Sequence, residues 1–155
     1  MDIQRRGTLK AGGGVGIFGL LVAAGMIKPG MALAARDQAV FSASSLDEAF
    51  KAMGAGSPAE SGDVQIVGPD IAENGAVVPV GVTSSLANVE HIAILIEKNP
   101  NMVAASFTIP EGTLADVQTR VKMGQTSDVY AMVKADGKFY MAKKKIKITL
   151  GGCGG

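Results

Sequence analysis

The chain has 155 residues, 47% of them hydrophobic and 19% charged, with five Phe, two Tyr and a formal net charge of +1. That is a globular composition with room for one domain. The absence of a basic excess or an aromatic cluster argues against nucleic-acid binding, and one cysteine with one histidine cannot furnish a haem, a zinc finger or an internal disulfide.

The 21 glycines are unevenly placed: eight lie in residues 1–34 and four in the last five, so the middle is ordinary and the two ends carry the anomaly. Residues 1–34 have a charged start (Arg5, Arg6, Lys10), an apolar stretch from Ala11 to Ile27, and small residues at Ala32-Leu33-Ala34. This is the layout of a secretory signal. Arg5-Arg6 followed by Gly7-Thr8-Leu9-Lys10 is similar to the twin-arginine export motif, although Gly7 and Thr8 are not its most typical followers. A transmembrane anchor needs roughly 20 predominantly apolar residues, and the glycines at 12, 13, 14, 16, 19 and 25 interrupt this stretch. The expectation is a leader, 1–34, removed after Ala34, and a periplasmic protein. Removal leaves 11 basic against 13 acidic residues, with no polybasic patch for a membrane surface. Because this export route carries folded proteins, a co-exported partner is expected.

Residues 35–150 are expected to form the folded domain. Ser44-Ser45 before Leu46-Asp47-Glu48-Ala49-Phe50-Lys51-Ala52-Met53-Gly54 predicts a short capped helix. Past it the period becomes two. Val64–Val67 is a strand, Asn74-Gly75 a turn ahead of 77–82, and Pro79 is expected to put that strand at an edge or a bulge. From His91 to Glu97 both faces are apolar, with Ile92, Ile94 and Ile96 on one and His91, Ala93 and Leu95 on the other. The second face needs cover from either a subunit interface or the N-terminal helix. Asn99-Pro100-Asn101 turns the chain into 102–109, and Glu111-Gly112 turns it again. Val117, Val121 and Met123 oppose Gln118, Arg120 and Lys122; Val129, Ala131 and Val133 oppose Tyr130, Met132 and Lys134. Asp136-Gly137 is a hairpin turn into 138–150, where Ile146, Ile148 and Leu150 share a face. About seven short strands with regular turns predict an all-β fold, an immunoglobulin-like antiparallel sandwich with a short N-terminal helix.

The chain closes Gly151-Gly152-Cys153-Gly154-Gly155. A structural cysteine prefers burial, whereas four flanking glycines predict a flexible, slender arm, 151–155, that would pass into a narrow channel. An unperturbed thiol is only a few per cent ionised at neutral pH and nothing in the tail lowers its pKa. A catalytic cysteine also needs a rigid base and oxyanion site. The pattern therefore favours a carrier over a catalyst, with an intermolecular Cys153 disulfide or an incidental thiol as the other readings.

Together with this tail, Ile71-Ala72-Glu73-Asn74-Gly75-Ala76-Val77-Val78-Pro79-Val80, Ile96-Glu97-Lys98-Asn99-Pro100-Asn101, Thr119-Arg120-Val121-Lys122-Met123 and Thr126-Ser127-Asp128-Val129 resemble the SoxY family, the sulfur-carrying subunit of the SoxYZ complex of bacterial thiosulfate oxidation. The resemblance spans most of the exported chain, and the terminal motif is specific only in the company of an exported β domain. It implies that Cys153 holds the substrate covalently, as a cysteine S-thiosulfonate and then a persulfide, with Gly151, Gly152, Gly154 and Gly155 giving access to enzyme active sites. It further implies a SoxZ partner, transient contact with a haem-containing thiosulfate-coupling enzyme, a sulfate-releasing hydrolase and a sulfane dehydrogenase, and no cofactor beyond the bound sulfur.

The remaining polar residues are not expected to be catalytic. His91 is predicted to be a hydrogen-bonded core or interface residue, Glu73-Asn74-Gly75 to be turn chemistry, and Lys143-Lys144-Lys145 with Lys147 a solvated strand edge rather than a guide for anionic sulfur species or an acidic partner. Two other functions are open to the same tail: an exported binding module that Cys153 only cross-links, and a diglycine carrier that uses the Gly155 carboxylate as a thiocarboxylate.

Overall fold

Two short helices lead into the strands. Gln38–Phe41 (α1) is followed by Leu46–Ala52 (α2), in a computed structural model that describes residues 38–149. By its internal contacts the chain divides between Arg36 and Asp37, and the described residues belong to the second unit. The start of α2 is fixed by local chemistry: the Glu48 amide donates to Ser45 Oγ at 3.2 Å, and the Ser44 amide and hydroxyl both donate to the Glu48 carboxylate at 2.9 Å. Its end is a reciprocal glycine cap, with Gly54 (φ +75°) donating to Lys51 O and Ala55 to Phe50 O.

Nine strands follow among the described residues: β1 Ala59–Glu60, β2 Val64–Val67, β3 Ile71–Ala72, β4 Val78–Ser84, β5 Val89–Ile96, β6 Val103–Thr108, β7 Asp116–Val121, β8 Ser127–Ala135 and β9 Lys138–Ile148. Two of them are two-residue pairings, so the seven longer strands match the sequence reading. One sheet has the order β1-β9-β8-β5-β6 with β3 also on β9, and the other is β2-β4-β7. The ladders are antiparallel except where β1 and β3 lie parallel to β9. The β8–β9 hairpin turns on Asp136 (φ +48°) and Gly137 (φ +71°), two successive left-handed residues of the kind that matches strand twist.

The sheets face each other across one apolar layer. Val64, Val78, Val80, Val82 and Val121 from the small sheet, with Met123 just past the end of β7, meet Ile92, Ile94, Ile96, Val129, Val133 and Ile146 from the large one. This is the β-sandwich that the alternation predicts. A second layer lies on the other side of the large sheet, where Val40, Ala43, Ala49 and Ala55 cover Ala93, Leu95, Val103, Tyr130 and Met132. Ala93 and Leu95 are fully buried there. Of the two covers left open for the second face of β5, it is the chain's own helical segment that lies on it.

The edge position expected for the strand holding Pro79 is corrected, since β4 is the central strand of its sheet. The proline is tolerated because β2 is short. Val64–Val67 pairs with Gly81–Ser84 only, so Pro79 has β7 (at Arg120) on one side and no ladder partner on the other.

Candidate functional site

Cys153 and the glycines Gly151, Gly152, Gly154 and Gly155 lie outside the described residues, as do the leader 1–34 and Leu150. What the structure describes is the root from which that segment continues. The backbone register between β8 and β9 ends at Ser127 and Ile146. The next inward-facing donor, the Ile148 amide, is received by Thr126 Oγ1 at 3.0 Å, and the same hydroxyl lies 3.5 Å from the Ile148 carbonyl, to which it donates. On the opposite edge β3 holds the strand: Lys147 N donates to Asp70 O at 2.9 Å and Thr149 N to Ala72 O at 3.0 Å.

The segment 70–75 stays against β9 because of its turn. Asn74 Oδ1 accepts from the Ala76 amide at 2.9 Å. Gly75 accepts from the Met123 amide at 2.7 Å, and a Cβ at Gly75 would collide with the Met123 carbonyl oxygen. From the other side Asn99 clamps the 122–124 stretch, its Nδ2 donating to Lys122 O at 2.7 Å and its Oδ1 accepting from Gly124 N at 3.3 Å. Glu73-Asn74-Gly75 is thus turn chemistry, as its composition indicates.

Of the four clustered lysines, Lys144 points inward, donating to Gly68 O at 2.7 Å and pairing with Asp70 at 3.0 Å. Lys143, Lys145 and Lys147 alternate with it and are exposed. On that side of β9, β1 pairs only at Tyr140–Met141 and β3 only at Lys147–Ile148, so Lys143 and Lys145 lie on the solvated edge between them, as expected. His91 is half-buried with Nε2 at 2.8 Å from Ser106 Oγ, and burial, then the Lys134 ammonium, holds its pKa below the ordinary 6.5. Among the described residues its hydrogen-bond partner is the Ser106 hydroxyl and its charged neighbour is Lys134, not a carboxylate that would make it a base.

The other end of the sandwich carries a groove of about 980 Å³ between 84–90 and 108–115, lined by Leu86, Leu114, Glu90 and Glu111 among others. Glu90 is engaged there by Lys134 at 2.7 Å. That ion pair, with a hydrogen bond from the Gly137 amide, keeps the Glu90 carboxyl below its ordinary value. Among the described residues no cluster of three or more His, Cys, Asp or Glu has the geometry to hold a metal, and no helix is long and apolar enough to cross a membrane.

Sequence reasoning missed Thr126, Ala72 and Asn99 as the residues that hold the root. Their contacts run to positions 22 to 77 residues away, and only the resemblance to a family, which includes all three segments, drew attention to them.

Residues 50–153 match the family described as "Sulfur oxidation protein SoxY", a stretch that runs through to Cys153. Among solved structures, the sulfur carrier protein SoxY from Chlorobium limicola f thiosulfatophilum is similar at 38% identity and a TM-score of 0.61, covering 69% of this chain and 98% of its own. A superoxide reductase (neelaredoxin) from Ignicoccus hospitalis is similar at 19% identity and a TM-score of 0.50, over 59% of this chain and 83% of its own, a likeness of fold alone. No curated protein sequence matches.

Proposed function

The chain belongs to the SoxY family of sulfur oxidation proteins, and from that membership we propose that it carries sulfur intermediates covalently on Cys153, in the periplasm, after export and removal of residues 1–34. A family of sulfur carriers is one of substrates presented to enzymes, so the chain is a carrier and not a catalyst. The observation that carries the residue-level reading is that the family match extends to Cys153, the chain's single thiol.

In the proposed cycle the Cys153 thiolate and the outer sulfur of thiosulfate form an S–S bond. The thiol proton is released, and two electrons pass to the haem-containing coupling enzyme. Water then attacks the terminal sulfur of the S-thiosulfonate; sulfate leaves and a persulfide remains on Cys153 for a sulfane dehydrogenase. The chain itself needs to supply only an accessible sulfur on a slender segment, because ionisation of an unperturbed thiol falls to the partner's site. Flanking glycines suit that task, and bound sulfur is the only prosthetic chemistry required.

The family further implies pairing with SoxZ. With the second face of β5 covered internally, the surface that supports this reading lies elsewhere: Val67, Ile71 and Val77 are each more than half exposed and fall within one short stretch of chain beside β9. A labelling experiment tests the cycle. Labelled thiosulfate and the coupling enzyme should leave label on the wild-type chain and none on Cys153→Ser; label retained by Cys153→Ser would exclude the thiol and point to the Gly155 carboxylate.

A further inference from the structure

We propose that Asn74-Gly75 is a site of spontaneous covalent modification, at which the Gly75 amide nitrogen closes on the Asn74 side chain, ammonia leaves, and water opens the ring to an aspartyl or isoaspartyl residue. The reaction asks nothing of the chemistry on Cys153.

In the first step the Gly75 nitrogen gives up its proton and bonds to Asn74 Cγ, while the bond from Cγ to the side-chain nitrogen breaks and that nitrogen departs as ammonia, taking up the proton. Water then adds to either ring carbonyl, and no oxidant or reductant is involved. Three conditions govern the rate: access to the attacking nitrogen, its freedom from other bonds, and stabilisation of the charge that gathers on Oδ1.

The turn meets all three. Asn74 is exposed, and Gly75 has no Cβ to obstruct the approach. The Gly75 amide donates no hydrogen bond among the described residues, although its carbonyl is held by Met123. Asn74 Oδ1 already accepts from the Ala76 amide at 2.9 Å, which folds the side chain back over the following peptide and sets a donor at the oxygen where charge develops.

The chain's other asparagines each fail a condition. Asn99 precedes Pro100, whose nitrogen has no proton to lose, and both ends of its side-chain amide are bonded. Asn88 precedes the β-branched Val89, and its Nδ2 is held by Asp136 at 2.8 Å. After Asn101, the Met102 amide is committed to Ala43 O at 3.0 Å. Even the Asp136-Gly137 pair, which could close a similar ring, has its Gly137 amide donating to Glu90 at 3.1 Å.

The fold also keeps the labile pair in place. A Cβ at Gly75 would collide with the Met123 carbonyl oxygen, so glycine is required after Asn74, and Asn74 supplies the acceptor that closes the turn. The residues that make the turn are those that make the ring. Modification sets a new carboxylate beside Glu73, in the stretch between the exposed Ile71 and Val77, and the isoaspartyl form lengthens the main chain just ahead of the carbonyl that Met123 holds.

The test ages the full chain at mildly alkaline pH and maps conversion of asparagine to acid by peptide mass spectrometry, with enzymatic methylation to report isoaspartyl carboxylates. Position 74 should convert at least about tenfold faster than Asn88, Asn99 and Asn101, giving both products, with faster Met123 amide exchange in the isoaspartyl fraction. Asn74→Ser keeps an acceptor for the turn and has no amide to lose, so its Met123 protection should last through ageing; loss at the wild-type pace would remove modification as the cause. Ageing in urea gives the rate without the fold. An Asn74 that converts in urea and survives in the folded chain would overturn the proposal, because the turn would then shield the ring-forming atoms. Conversion spread evenly over the asparagines would overturn it too, as would an aspartyl product alone, which is direct hydrolysis without a ring.

Discussion

Met123 donates its amide to the carbonyl of Gly75 at 2.7 Å, and the two backbones approach so closely that no side chain fits at Gly75. The contact joins the end of the small sheet to the segment that edges β9. Gly75→Ala forces that backbone contact to open, and the expected cost is about 1–3 kcal/mol. Thermal unfolding measures it; an unchanged melting temperature would mean that the turn moves freely aside.

Leu95 is fully buried between the large sheet and the N-terminal helical segment. Leu95→Ala is expected to destabilise the isolated chain by about 2–5 kcal/mol, with no dependence of the denaturation midpoint on protein concentration. A concentration-dependent midpoint would return this face to the role of subunit interface.

His91 has its pKa lowered from 6.5, first by burial and then by Lys134. The unfolded chain therefore takes up this proton before the folded one does. The stabilisation is fully present above about 6.5 and is lost as pH falls below it towards the folded value. Glu90 and Glu48, whose pKa values are lowered from 4.5 by hydrogen bonds, contribute a separate loss only below about 4.5. Urea midpoints between pH 7.5 and 5 should decline for the wild type and stay flatter for His91→Gln; parallel curves would remove His91 as the cause.

Val67 and Val77 are more than half exposed near the strand that leads to Cys153. Replacing both with Asp should leave stability within about 0.5 kcal/mol and weaken binding of the SoxZ subunit by about tenfold or more. Calorimetric titration with SoxZ reads this directly, and undiminished affinity would place the partner on another surface.

Much of the fold was legible because it rests on local or periodic signals. Ser45 and Gly54 mark the ends of α2, Asp136-Gly137 marks the hairpin, and the alternation of Ile92, Ile94 and Ile96 marks a sandwich core. What stayed hidden depends on chain segments far apart in sequence. Pro79 sits in a central strand only because β2 stops short of it, and nothing near position 79 encodes the length of β2. Lys144 turns inward to Asp70 and Gly68 across the sandwich edge, while its neighbours in the lysine run remain in solvent. Cys153 was singled out by composition alone, whereas Thr126, 22 residues from the strand end it holds, has no local signature.

The most direct measurement is the intact mass of the protein taken from the periplasm of cells oxidising thiosulfate, isolated without reductant and then treated with one. A reductant-labile sulfur adduct mapped to Cys153, on a chain that starts near Ala35, is the predicted result. A clean thiol, or only a Cys153-linked homodimer, would contradict the carrier account and leave an exported module that its cysteine merely cross-links.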